Sequence, residues 1–179
     1  DLLAHEVQEP EKAAWQEVVR HFGEDILGPD KKIDRVKLGG IVFSDRSKLH
    51  TLNNIVHPIV YQEWHNRLEK LGKKDHHAIV LSDVPLLFEG KMQQLFDLTV
   101  LVLIAPEEQI RRLMARNHIS HEEADKRLKS QMPIGEKKAL ADIVIDNEGS
   151  IHETEKIVNK VWRELRQREK QKQLSKVKD

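Results

Sequence analysis

Cysteine is absent, aromatic residues make up 4% of the 179 positions, and no apolar run approaches the ~20 residues of a membrane span. Without thiols the chain has no disulfide staple, no thiolate nucleophile and no thiolate metal site, which fits a reducing compartment. No positive-then-apolar opening marks a secretory leader. Excess charge is lacking too: 30 Lys and Arg balance 30 Asp and Glu, so the chain has no field of the kind that gathers nucleic acid or a membrane surface. These absences predict a cytoplasmic protein whose partners include neither. Ten histidines form no His-x-x-x-His or His-Glu-x-x-His pattern, and adjacent His76 and His77 point apart, which weighs against a metal cluster. A Gly-x-Ser-x-Gly elbow is missing, as is Gly-x-x-x-x-Gly-Lys-Ser/Thr, the loop whose backbone amides cradle phosphates.

What remains is enough chain for one domain with a substantial core. Pro10 suits the first position of a helix, followed by apolar Ala14, Trp15, Val18, Val19 and Phe22, with Gly23 as its stop. Gly28-Pro29-Asp30 predicts a turn, Asp34 a cap for a short helix to about Val42, and Ser44 a cap for a longer one that Pro58 breaks or restarts. Three apolar runs read as strands buried on both faces: 78–81, 98–104 and 143–145. Helices over about 106–116, 120–131 and 151–168 separate or follow them, so the pattern predicts a parallel α/β sheet. The tail from Arg163 carries seven basic and three acidic residues and is expected to fray into solvent.

Ligands of parallel sheets lie beyond the carboxyl ends of the strands. Asp83 and Glu89 follow the first run across an apolar loop, and serve either a site or a turn and solvent. After the second run, Arg112 and Arg116 share a helical face, with Arg127 on the next helix; they suit a polyphosphate clamp, or equally ordinary pairing with nearby glutamates. After the third, Asn147 in Asp146-Asn147-Glu148-Gly149 offers an amide to a base edge, or marks a turn.

Seven segments in order resemble the dephospho-CoA kinase family: Asp1-Leu2-Leu3-Ala4 with Glu9-Pro10; Ile33-Asp34-Arg35 leading to Val42-Phe43; and Leu52-x-x-Ile55-x-His57-Pro58-x-Val60. Then come Asp83-Val84-Pro85-Leu86-Leu87-Phe88-Glu89, Gln109-x-x-Arg112-Leu113-x-x-Arg116, Arg127-x-x-x-Gln131, and Ala141-Asp142-Ile143-Val144-Ile145-Asp146-Asn147-x-Gly149. The resemblance implies transfer of a phosphoryl group from ATP, with Mg2+, to the ribose 3′-hydroxyl of dephospho-CoA. It implies a parallel-sheet P-loop kinase core of the nucleoside monophosphate kinase kind, with a helical substrate-binding region at about 10–75 and a lid at about 110–140. Asp1 would activate the hydroxyl or hold magnesium indirectly, since phosphoryl transfer needs orientation and charge neutralisation more than covalent help. Arg112, Arg116 and Arg127 would embrace the ATP phosphates and Asn147 would meet adenine. Arg35, His57, Pro58, Asp83 and Glu89 would surround dephospho-CoA.

The departures from the family pattern are His5 in place of Arg, Asn117 in place of Asp after Arg116, and the absent phosphate loop. The expectation is a single kinase domain lacking about 30 upstream residues, a strand, loop and helix unit, and inactive alone. Competing readings are another P-loop kinase acting on a nucleoside monophosphate, and a non-catalytic member of the family.

Overall fold

A computed structural model describes residues 2–176, with side chains to residue 174, and divides the chain into two compact units, Asp1–Asp83 and Val84–Asp179. The first unit is helical. Leu2–Glu6 forms α1. Helix α2 runs Ala13–Phe22 with Ala14 and Val18 inward. It starts three residues later than Pro10 predicts because Glu11 has φ 68, a left-handed conformation that no helix can contain. It stops at Gly23, whose φ of 84 suits a residue without Cβ.

Asp34 caps α3 (Arg35–Phe43), its side chain accepting from the Val36 and Lys37 amides. The next helix, α4 (Arg46–Lys74), is capped by Asp45 rather than Ser44. Ser44 still has helical dihedrals at the end of α3, so its hydroxyl donates back to the Gly40 and Ile41 carbonyls, while extended Asp45 accepts from Ser47 and Lys48. The helix also continues through Pro58, which costs the Asn54 carbonyl its intrahelical donor. Packing of α4 against α1, α2 and α3 outweighs that loss. Val18, Ile26, Leu38, Val42 and Val56 form the core, each worth about 1.5–3 kcal/mol on full burial.

Residues 78–81 are not a strand. They have no regular secondary structure, with Val80 42% and Leu81 72% exposed, because among the described residues no strand lies alongside to complete a ladder.

In the second unit, β1 (Val100–Leu103) and β2 (Ile143–Asp146) pair in parallel, Val100 opposite Ile143 and Leu103 opposite Asp146. The apolar run of 98–104 yields only four strand residues because its partner offers only four. Between the strands lie α5 (Pro106–Asn117), α6 (His121–Lys129), which Ser120 caps, and α7 (Ile134–Leu140), an element the sequence patterns did not predict. Pro133 and Gly135 make that stretch read as loop.

Helix α8 spans Ile151–Lys176. Its start is a reciprocal cap: Glu153 Oε2 accepts from the Ser150 amide at 2.8 Å, and Ser150 Oγ accepts from the Glu153 amide at 3.3 Å. A Cβ at Gly149 would lie 2.7 Å from that same Oε2, so a larger residue there would displace the Glu153 carboxylate from the cap. The expected fraying after Arg163 does not occur within the described residues. Arg168 pairs with Glu164 at 2.7 Å, Gln173 with Glu169, and Lys172 with Asp97 at 2.7 Å, so one-turn spacing and a tether sustain the helix. Among the described residues no helix is long and apolar enough to cross a membrane.

Candidate phosphate and nucleotide site

The root of the second unit's site is a polar clasp where the strands begin. Thr99, almost fully buried, donates through its amide and its hydroxyl to Asp142 Oδ2, both at 2.7 Å, and its Oγ1 accepts the Asp142 amide at 3.1 Å. The Thr99 hydroxyl and amide hold the Asp142 carboxyl below its ordinary pKa. With its start fixed, the pairing carries on past the last strand residues: the Asn147 amide donates to the Leu103 carbonyl at 2.8 Å.

Beyond the carboxyl ends of β1 and β2 the chain turns into α5 with Pro106 at its first turn, where a missing N–H costs nothing. Gln109 Nε2 donates to the Ile104 carbonyl at 2.9 Å and fastens α5 to β1. That places Arg112 over the end of β2, its Nη2 3.4 Å from the Asn147 carbonyl. Arg112 and Arg111 both bind Glu108, at 2.8 Å and at 2.5 Å. The two guanidiniums lower the Glu108 carboxyl to a pKa of about 2. Arg116, one turn beyond Arg112, donates through Nε to Asn117 Oδ1 at 2.9 Å, an amide doing the orienting that a carboxylate would do. Arg127 is exposed on α6, which packs on α5. Among the described residues no carboxylate pairs with Arg116 or Arg127.

Asn147 Oδ1 accepts from the Thr154 hydroxyl at 3.0 Å, beside an open face of α8 that carries Ile151, Thr154, Glu155, Val158 and Asn159. Glu89 lies elsewhere in this unit. Its Oε1 is 2.7 Å from Lys137 Nζ and accepts the Met132 amide at 2.9 Å.

In the first unit, Arg35 opens α3 and contacts the Nε2 of His5 on α1. Partial burial and the Arg35 charge lower the pKa of His5, so the ring stays a neutral acceptor. His57 and Pro58 are exposed in the middle of α4, and Asp83 is exposed in the irregular stretch that begins at residue 78. Asp1 lies outside the described residues. The structure therefore brings Arg112 to Asn147 and Arg35 to His5. Sequence reasoning missed Thr99 and Lys137. Asp142 stood in a quoted segment, but nothing local marks its partner 43 residues away, and Lys137 sits in the helix that was not predicted.

Comparison with known proteins gives a consistent match. The dephospho-CoA kinase family model matches residues 1–153. A dephospho-CoA kinase of Syntrophus aciditrophicus is 46% identical over 170 residues, covering 95% of this chain and 72% of that one. One from Carboxydothermus hydrogenoformans is 48% identical over 154 residues, covering 86% and 74%. Among solved structures, that of TT1252 from Thermus thermophilus is similar with a TM-score of 0.72 at 33% identity, covering 92% of this chain and 82% of that one. The dephospho-CoA kinase from Campylobacter jejuni has a TM-score of 0.63 at 27% identity, covering 90% and 82%.

Proposed function

This chain belongs to the dephospho-CoA kinase family, with that family's P-loop kinase fold, and from that premise we propose how its residues phosphorylate dephospho-CoA to coenzyme A. ATP is the co-substrate and the ribose 3′-hydroxyl the acceptor. Arg112, Arg116 and Arg127 bind the ATP phosphates, where planar guanidiniums suit phosphate oxygens better than ammonium groups. Asn147 offers its Nδ2–H donors to the adenine edge, its Oδ1 being engaged by Thr154. Arg35, His57, Pro58 and Asp83 serve the acceptor. Asp1 orients the hydroxyl or holds, indirectly, the magnesium that ATP brings. Residues 1–179 are part of one kinase domain, incomplete at its N-terminal side, with about 10–75 binding acceptor and about 110–140 forming the lid, in the cytoplasm.

The observation that carries this reading is Arg112 beside Asn147, beyond the carboxyl ends of two parallel strands, where such sheets bind ligands. Because residues 1–179 contain no Gly-x-x-x-x-Gly-Lys-Ser/Thr, we further propose that these residues by themselves turn over poorly. The test is ADP release with dephospho-CoA, AMP or UMP as acceptor, made on the gene's full translation product and on residues 1–179. Turnover with dephospho-CoA by the former alone is expected. Preference for AMP or UMP would overturn the acceptor assignment, and equal rates from both proteins would overturn the proposed dependence on a phosphate loop.

A further inference from the structure

Glu89 follows Pro85-Leu86-Leu87-Phe88 and was expected at the dephospho-CoA site, yet its carboxylate faces a different task. Lys137 on α7 is only 7% exposed, and lysines are almost never that buried unless paired. Its Nζ lies 2.7 Å from Glu89 Oε1 and 3.5 Å from Gln131 Oε1. The same Glu89 oxygen accepts the Met132 amide at 2.9 Å, and Oε2 is closed off from solvent. Burial pushes the Glu89 carboxyl up, but the Lys137 ammonium and the amides of Glu89 and Met132 outweigh it and leave the pKa below its usual value. Oε1 is thus committed within the protein, whereas Oε2 is buried with no hydrogen-bond partner.

What it holds is the place where the α5–α6 hairpin rejoins the body of this unit. The hairpin leaves β1 at Ala105, fastened by Gln109 to Ile104, and α6 ends at Lys129, three residues before Met132. Between these roots α5 and α6 pack on each other and bear Arg112, Arg116 and Arg127. The second root is fixed through one carboxylate oxygen.

We infer that Glu89 is a positioning residue: through Lys137 and the Met132 amide it sets where α6 ends, and so where the hairpin's arginines stand against the ATP phosphates. This rests on the reading that those arginines bind ATP. Steady-state kinetics of the full translation product test both, with Arg116→Ala as the control for the reading itself. If R116A leaves the KM for ATP unchanged, the arginine assignment fails whatever Glu89 does.

With R116A behaving as assigned, E89A is expected to raise the KM for ATP on the order of tenfold while the KM for dephospho-CoA stays within about twofold. E89Q keeps an oxygen for the Met132 amide and Lys137, and is expected to recover most of the loss. Should E89A fail to fold, E89A/K137A leaves no unpaired buried charge and is read in the same way. A rise confined to the KM for dephospho-CoA would put Glu89 at the acceptor instead. Lower stability with both KM values unchanged would make the pair purely structural. Either result overturns the inference.

Discussion

Thr99→Val isolates the clasp at the foot of the two strands, because valine keeps the shape of threonine and removes only the hydroxyl. The variant loses a hydroxyl-to-carboxylate bond of 2.7 Å and the acceptor for the Asp142 amide, while the Thr99 amide continues to donate to Oδ2. A hydrogen bond to a charged group contributes about 1.5–3 kcal/mol and a neutral one about 1; Asp142 is partly solvated and recovers some of this from water, so we expect a loss of about 2 kcal/mol. For a chain of this size that corresponds to about 4–8 °C in Tm. The pH dependence follows from the direction of the Asp142 shift. Its folded pKa is depressed, so the clasp's contribution is complete above the unfolded carboxyl's value of about 3.9 and disappears as pH falls through the lower folded value. Thermal unfolding followed by circular dichroism near pH 7 and again near pH 3 measures both. Wild-type Tm for T99V near pH 7, or a gap that widens on acidification, would refute the reasoning.

Ile26 is fully buried in the first unit, so I26A is expected to cost about 2–5 kcal/mol in urea unfolding without altering the circular dichroism shape at rest. Glu108, held by Arg111 and Arg112 to about 2, should show a carboxyl carbon that titrates near that value by NMR, and R111A should move it back toward the ordinary range. His5 should titrate below the usual histidine value, and R35A should raise it by removing one of the causes that lower it; an unchanged or lower value in R35A would contradict the contact. Asp34→Ala removes the acceptor for two amides at the start of α3 and should destabilise the first unit by about 1 kcal/mol, read as a shift in its urea midpoint.

Helices with a strong local signature were legible in the chain. Asp34 and the stop at Gly23 act as the sequence implies, because each is set by the backbone within a few residues of itself. The two paired strands were legible by apolar content, and their parallel order by the helices between them. Failures came where distant partners decide. Residues 78–81 have the composition of a buried strand but acquire no ladder, and composition alone cannot supply one. Pro58 stays helical because three other helices pack on α4, a fact that no local rule contains. The charged end of α8 is helical to Lys176 because its charges pair with one another at one-turn spacing, so counting charge without its spacing predicted fraying.

The arginines show the same division within the site. Spacing placed Arg112 and Arg116 on one face of α5, but ion pairing differs along that face. Arg112 shares Glu108 with Arg111, whereas among the described residues Arg116 meets the Asn117 amide and no carboxylate. A phosphate that approaches Arg112 must compete with a carboxylate whose proton affinity is already suppressed, and it gains a guanidinium held in place; one that approaches Arg116 meets no such competitor. Removal of Glu108 therefore releases Arg112 in charge and loosens it in position, while leaving Arg116 unaltered. E108Q should accordingly change the KM for ATP less than R116A does, measured in the full translation product, because its two consequences oppose each other. If E108Q equals or exceeds R116A in that measurement, Glu108 does more than steady an arginine, and the division of roles along α5 must be redrawn.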